Sequence, residues 1–237
     1  MKKYLIFILI LLSLSLCGCQ KGQQEPVPNV PEKEEEIDTE YISPIDFSEL
    51  QKKNPDIYAW ITIPGTNVDY PVLQSQTDDE FYLDHDDEAK FDLNGVIFSE
   101  HSYNNNKFTD PVTIVYGHHL KSGEMFGNLQ KYYTDSFEDL REITVYTPME
   151  EQKYEVFAAV PYSNRHILYY YDCFKTPEAV KEFIEDVKGI RAIGAQIDKE
   201  YDVDKDDQLL VLSTCLQADR TKRFIVVAKR VDLEERP

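Results

Sequence analysis

Two short apolar segments near the end of the chain carry its clearest pattern. Residues 209–212 are all apolar and run into Ser213-Thr214-Cys215, and a second apolar run, 223–228, opens with Arg223. Short apolar runs with polar boundaries are typical of buried strands, and the second run is rich in β-branched residues. The pattern therefore predicts two neighbouring strands, with Cys215 ending one and Arg223 beginning the next.

Six further segments have the length and composition of strands, and they precede these two along the chain. The predicted strands are 57–63, 68–73, 95–99, 112–116, 143–146 and 154–160. Helical spacing of apolar residues predicts helices at 46–53, 125–133 and 177–188, the last with a proline near its start and a glycine just after its end.

Two aromatic features of the sequence lead to expectations of their own. Trp60 is the only tryptophan of the chain, and we expect it in the core. The run Tyr169-Tyr170-Tyr171 is predicted to lie in a half-buried strand or loop, with the wall of a peptide groove as the alternative.

Cys215 and Arg223 together suggest a reactive thiol. A permanent cation beside a thiol at a strand end favours a nucleophile. The alternative is a buried structural cysteine with a surface arginine, because free cysteine is commonly buried.

A pair of histidines follows the predicted strand 112–116 and Gly117. Histidine is the usual base partner of a nucleophilic cysteine, wherever it lies in the sequence. The alternatives are a metal pair or two solvated side chains. Adjacent residues of a continuing strand point to opposite sides, and no nearby Cys or His completes a ligand set for His118 and His119.

Taken together, these motifs resemble the class B sortases. The resemblance is carried by Thr214-Cys215 after an apolar strand, by Tyr116-Gly117-His118-His119, and by Arg223 at the opening of the last strand. It extends to the segments 57–61, 65–74 and 125–129, and covers roughly residues 47–230.

The resemblance implies a fold that is mainly β with added helices. The expected architecture is a closed sortase-type β-barrel of about eight strands, with an N-terminal helix and a helix between the sixth and seventh strands.

The resemblance also implies the roles of the site residues. Cys215 would be the nucleophile, His118 the general acid and base, and Arg223 the stabiliser of the oxyanion. His118 is preferred to His119 because the family's catalytic histidine directly follows glycine. The expected substrate-binding residues are Tyr116, Ser213, Thr214 and Asp78.

The implied reaction is transpeptidation. A secreted protein with a C-terminal sorting motif would be cleaved after threonine and joined to the amine of a cell-wall precursor peptide. No cofactor and no metal is required for this chemistry, although one class of sortase uses calcium as an activator. Three alternatives remain: a cysteine endopeptidase, a pilin-polymerising sortase, and an inactive sortase-like lipoprotein that only binds.

The charge of the chain excludes one class of partner. There are 44 acidic and 25 basic residues among 237, a formal net charge of −19. Binding to nucleic acid is not expected, because it requires a basic surface.

The N-terminus has the features of an export signal. A basic start precedes an apolar run at residues 4–16, which is short for a bilayer span of about 20 residues. The following Leu16-Cys17-Gly18-Cys19 resembles a lipobox, which implies lipidation of Cys19; an uncleaved membrane anchor is the alternative.

These features predict three regions: a leader (1–19), a disordered acidic and proline-rich tether (20–45), and a catalytic domain (46–237). We expect the domain on the extracytoplasmic face of the membrane, anchored at its N-terminus. Cys173 is the other cysteine outside the leader, and the sortase interpretation requires it not to pair with Cys215.

Overall fold

The computed structural model describes residues 41–134 and 137–232. The predicted leader with Cys19, and the tether up to residue 40, lie outside the described residues. Residues 41–45 contain no helix or strand, and the first helix begins at Phe47, where the Asp46 carboxylate accepts the backbone N–H of Glu49 at 3.1 Å. In this described part of the chain, no helix is long and apolar enough to cross a bilayer.

The described residues contain three α-helices and nine β-strands, with short 3-10 turns between them. The helices are α1 (Phe47–Lys53), α2 (Ile167–Tyr170) and α3 (Pro177–Gly189). The strands are β1 (Ile57–Thr62), β2 (Asp69–Leu73), β3 (Ile97–Phe98), β4 (Val112–Tyr116), β5 (Glu142–Tyr146), β6 (Glu151–Tyr162), β7 (Gln196–Ile197), β8 (Leu209–Cys215) and β9 (Arg223–Arg230). The 3-10 turns are Phe81–Leu83, Gly127–Tyr133, Phe137–Leu140 and Asp172–Phe174.

Eight of these strands close into a barrel. Their order is β5-β1-β2-β3-β4-β8-β9-β6, and the pairing of β5 with β6 completes the ring. The two-residue strand β7 pairs with β6 outside the ring. The pairs β2–β3 and β4–β8 are parallel. The predicted barrel is confirmed, as is a helix, α3, between its sixth and seventh strands.

Both faces of β8 are buried, which explains the uninterrupted apolar run at residues 209–212. Leu210 and Leu212 pack in the barrel interior, with side chains from all eight barrel strands. Leu209 and Val211 point the other way, into a second cluster that includes the inner face of α3. Strand β9 alternates in the same manner.

Helix α3 covers the outer face of this part of the barrel. Thr176 caps its first turn by accepting the N–H of Ala179 at 3.3 Å, and Pro177 begins the helix. One face is buried: Val180, Phe183, Ile184 and Val187. Burying each of these apolar side chains contributes roughly 1.5–3 kcal/mol to the packing of α3.

The expectation that Trp60 lies in the core is wrong. Its neighbours Ala59 and Ile61 face the interior, so Trp60 faces outward at the β1 pairings with Pro71 and Tyr146. The indole is half-buried there, and its Nε1–H donates to Asp69 at 2.6 Å.

The segment with three tyrosines is helical rather than a strand or loop. It forms α2 and the 3-10 turn after it, and only Tyr171 is buried. Tyr169 and Tyr170 are exposed by 78% and 52%, and neither lines the cavity described below.

Gly117 sits where β4 leaves the barrel, and the packing there leaves no room for a side chain. An added Cβ would overlap Ile97 and lie 2.8 Å from a ring carbon of Phe126. We expect Gly117→Ala to lower the free energy of unfolding by about 1–3 kcal/mol, measured by urea denaturation. The control is Gly189→Ala, where an added Cβ meets nothing within 4 Å. Equal unfolding midpoints for the two variants would refute this packing.

Candidate active site

The parallel pairing of β4 with β8 brings two chemically active residues to one edge of the barrel. Tyr116 lies opposite Ser213, and the Gly117 N–H donates to the Ser213 carbonyl at 3.1 Å. His118 and Cys215 each lie two residues beyond that pair, at the same end of neighbouring strands. Both line a single cavity of about 210 Å³.

The antiparallel pairing of β8 with β9 brings in the arginine. Cys215 and Arg223 are the last cross-strand pair of this ladder. A guanidinium nitrogen of Arg223 lies 3.7 Å from the sulfur of Cys215. The connecting loop is closed by the Leu216 N–H, which donates to the Lys222 carbonyl at 3.0 Å, and Arg220 within it is exposed. The cation that reaches the thiol is therefore Arg223.

The cavity contains all but one of the residues predicted to act in this site. Its polar and charged lining comprises Asp79, Glu80, Glu100, Tyr116, His118, Asn164, Arg165, His166, Ser213, Thr214, Cys215 and Arg223. The exception is Asp78, which is exposed and whose carboxylate accepts the backbone N–H of Glu80 at 3.0 Å. Asp78 therefore shapes the turn that places Asp79 and Glu80 at the cavity, and its side chain is not part of the lining.

Tyr116, Ser213 and Thr214 form the wall beside the cysteine. The hydroxyl of Tyr116 donates to Glu100 at 3.0 Å. Ser213 and Thr214 are buried, and the Thr214 hydroxyl has no hydrogen-bond partner among the described residues. Thr214 is the cross-strand partner of Phe224, which packs in the barrel interior, so its side chain lies on the opposite face of β8 from Ser213.

Glu100 and His166 are site residues that the sequence reasoning missed. One carboxylate oxygen of Glu100 accepts from Tyr116, and both of its oxygens lie 3.0 Å from Nε2 of His166. Burial raises the pKa of Glu100, and the neighbouring His166 opposes that rise. The two residues are far apart in sequence and belong to no recognised motif, so only the fold could reveal their contact.

The two histidines after β4 have different surroundings. Nε2 of His118 lies 2.7 Å from the carbonyl oxygen of Leu83, at the cavity. His119 does not line the cavity, and its backbone forms an isolated bridge with Met125. Burial lowers the pKa of His119, and the positive charge of Arg220 adds to this effect.

Cys173 is separate from the site. Both Cys173 and Cys215 are free thiols, so the requirement that they do not pair is met. In residues 41–134 and 137–232, no group of three or more His, Cys, Asp or Glu side chains is placed to hold a metal ion.

Comparison with known proteins identifies the family. The family model of the sortase domain matches residues 61–231. Sortase B of Listeria monocytogenes is 32% identical over 190 residues, which cover 78% of this chain and 74% of that protein. The chain belongs to the class B sortases.

Solved structures of other class B sortases agree with this assignment. A Bacillus anthracis protein described as similar to sortase B has a TM-score of 0.67 at 30% identity, covering 78% of this chain and 82% of that one. A Staphylococcus aureus sortase B–substrate complex has a TM-score of 0.66 at 32% identity, covering 78% and 84%. This sortase is therefore a transpeptidase by family, with the barrel of that family.

The lowered pKa of His119 predicts a pH dependence of stability. The folded state resists protonation of His119, whereas the unfolded chain binds the proton near pH 6.5. Stability is therefore lost as the pH falls below about 6.5, because the unfolded state then binds more protons.

We expect His119→Gln to lose less unfolding free energy than the wild type between pH 7 and pH 5. The measurement is urea denaturation at both pH values, with His101→Gln, at an exposed position, as the control. An identical loss in wild type and His119→Gln would contradict the effect of the partial burial of His119 on its pKa.

Proposed function

We propose that this sortase cleaves a C-terminal sorting signal after threonine and joins the protein to a cell-wall peptide amine, through an acyl-enzyme on Cys215. The observation that carries the proposal is the 3.7 Å contact between Arg223 and the Cys215 sulfur in a cavity shared with His118. A nucleophile, a proton donor and a fixed cation are thereby combined in one site.

In the first step, the Cys215 thiolate attacks the carbonyl carbon of the threonine. A carbon–sulfur bond forms, and the carbonyl oxygen becomes an oxyanion. Protonated His118 then gives its proton to the leaving amine nitrogen as the carbon–nitrogen bond breaks. The products of this half-reaction are a thioester on Cys215, a free amine and neutral His118.

In the second step, His118 acts as a base instead of an acid. The amine of the acceptor peptide attacks the thioester, and neutral His118 removes its proton. The carbon–sulfur bond then breaks, which restores the Cys215 thiolate and leaves a new amide. Because His118 ends as it began, protonated, no further reactant is needed.

Arg223 stabilises the charge in both steps. Before attack, its guanidinium lies 3.7 Å from the sulfur of Cys215, so a fixed positive charge faces the nucleophile. After attack, the oxyanion develops one bond away from the carbon that the sulfur has joined, within reach of the planar guanidinium. Tyr116, Ser213 and Thr214, which line the cavity, are proposed to contact the sorting peptide.

The proposed partners follow from the family. Structures of relatives include a sortase B–substrate complex and a sortase B complexed with triglycine. By likeness, we propose a sorting peptide as the first substrate and a cell-wall precursor peptide as the amine acceptor. The proposed location is the extracytoplasmic face of the membrane, with attachment at the N-terminus, through Cys19 if it is lipidated.

The test of this function is mass spectrometry of the protein mixed with candidate sorting peptides. We expect the acyl fragment that ends in threonine to be attached to Cys215, and its transfer to an added amine. Cys215→Ala should form no adduct, and Cys173→Ala should behave as the wild type. Cleavage by Cys215→Ala at the wild-type rate would refute the mechanism; release of the acid alone, even with amine present, would identify an endopeptidase.

The two arginines around the β8–β9 loop provide a matched test. Arg223→Ala should lower turnover of one sorting peptide by about 10²–10³-fold, because an oxyanion donor is lost. Arg223→Lys should also be impaired, since a flexible ammonium cannot reproduce the planar donors. Arg220→Ala should be nearly silent, because Arg220 is exposed. If Arg220→Ala severely loses turnover while Arg223→Ala stays active, the oxyanion role belongs to Arg220 instead.

A further inference from the structure

The hydrogen bond of His118 determines which of its nitrogens is free to react. A carbonyl oxygen only accepts hydrogen bonds, so Nε2 of His118, 2.7 Å from the Leu83 oxygen, carries a hydrogen. In neutral imidazole the other nitrogen, Nδ1, then has the free lone pair. We propose that the Leu83 carbonyl is the positioning group of His118, and that Nδ1 transfers the proton in both half-reactions. This inference rests on the proposed role of His118 as acid and base.

The turn that presents this carbonyl is firmly anchored. Leu83 ends a 3-10 turn in which its N–H donates to the carbonyl of Glu80 at 3.0 Å. Tyr82 beside it is buried, and its hydroxyl donates to Asp56 and accepts from Asn54, both at 2.8 Å. The Leu83 oxygen is therefore held by contacts that do not involve His118.

Gly95 packs directly against the Leu83 carbonyl. It has a φ of +54°, and an added Cβ would lie 2.6 Å from the carbonyl oxygens of both Tyr82 and Leu83. The next residue, Val96, donates its N–H to the Tyr82 oxygen at 3.2 Å. The chain before β3 can approach these carbonyls only because residue 95 lacks a side chain. Gly95 is thus a second positioning residue, acting through Leu83.

A backbone carbonyl here takes the place that a carboxylate or amide side chain has in many Cys–His pairs, where it orients the imidazole. The half-buried carboxylate of Glu100, which also lines this cavity, is instead bonded to Tyr116 and His166. Unlike a carboxylate, a carbonyl cannot titrate. Its hydrogen bond to Nε2 is present for both neutral and protonated His118, so it holds the ring through both half-reactions.

The first test is the tautomer of His118 in the unaltered protein. Long-range ¹H–¹⁵N NMR spectra of protein labelled with ¹⁵N-histidine distinguish the two tautomers, and the His118 signals are those lost in His118→Gln. For the neutral imidazole of His118, we expect one tautomer, with the hydrogen on Nε2. A hydrogen on Nδ1, or a rapidly exchanging mixture, would overturn the inference.

The second test uses the added methyl group at residue 95. Gly95→Ala should displace the Leu83 carbonyl, produce a mixture of His118 tautomers and lower kcat by roughly 10–100-fold, the loss typical when a partner that orients a metal-bound histidine is removed. Gly65→Ala is the matched control: φ is also positive, at +78°, but the nearest contact of the new Cβ is the Leu140 side chain at 3.2 Å. Gly65→Ala should retain both kcat and the Nε2–H tautomer.

A third variant separates the carbonyl of Leu83 from its side chain. Leu83→Ala removes side-chain contacts at the cavity but keeps the carbonyl, so it should keep the Nε2–H tautomer. A folded Gly95→Ala with wild-type kcat and spectrum would refute the inference. If Gly95→Ala does not fold, the spectrum of the wild type decides.

The Cys215 adduct distinguishes this inference from the proposed function. An adduct in a wild type with the wrong His118 tautomer overturns the role of Leu83 alone. Absence of any adduct overturns the proposed function and, with it, the role assigned to Nδ1.

Discussion

The backbone pairing of β8 with both of its neighbours is the constraint on which the site depends. The parallel ladder to β4 places His118 and Cys215 at the same edge of the barrel. The antiparallel ladder to β9 makes Arg223 the cross-strand partner of Cys215. Three side chains distant in sequence are thereby positioned by main-chain hydrogen bonds. A shift of one residue in the pairing of β4 with β8 would turn His118 to the opposite face. The same shift in the pairing of β9 with β8 would turn Arg223 to the opposite face.

Burial on two sides keeps this register in place. Alternate residues of β8 and β9 fill the barrel interior, while the others pack in the cluster that includes α3. A slip of either strand would exchange the two sets of side chains between differently shaped environments. The edge that carries Cys215, in contrast, lies at a cavity lined by acidic side chains, by Arg165 and Arg223, and by His118, which is bound to the Leu83 carbonyl. Apolar packing along the strands thus fixes their register, while the polar site lies at the strand ends, outside the apolar interior.

Much of the fold could be predicted from the sequence, because its local patterns and its packing agree. Strand-like apolar segments predict the eight barrel strands, the helical spacing of apolar residues predicts α3, and the family resemblance implies the closure of the ring. Trp60 was misplaced because a tryptophan suits either face of a strand, and its outward position follows from the alternation of β1. The tyrosines of α2 were misread because a four-residue helix has too little periodicity to be recognised.

The sequence could predict those residues of the candidate site that lie next to the ends of strands. Positions after or before apolar runs indicate Cys215, Arg223 and the pair His118-His119, and the family resemblance prefers His118. His118, Cys215 and Arg223 line one cavity. Asp78 was displaced from that cavity because the turn geometry of an irregular loop decides which of several adjacent acids faces inward. The bond between Glu100 and His166, and the carbonyl of Leu83, depend on contacts between distant segments. No local pattern indicates such contacts.

The central claim, that Cys215 is a nucleophile activated by its place beside Arg223, is tested most directly by thiol alkylation. Cys173 provides an internal standard, because both thiols are free and of intermediate exposure. The measurement is the rate of modification of each cysteine in the folded protein at neutral pH, followed by peptide mass spectrometry, in wild type and in Arg223→Ala. The account predicts that Cys215 reacts faster than Cys173 and loses much of this advantage without Arg223. Equal rates in the wild type, or a faster Cys173, would contradict it.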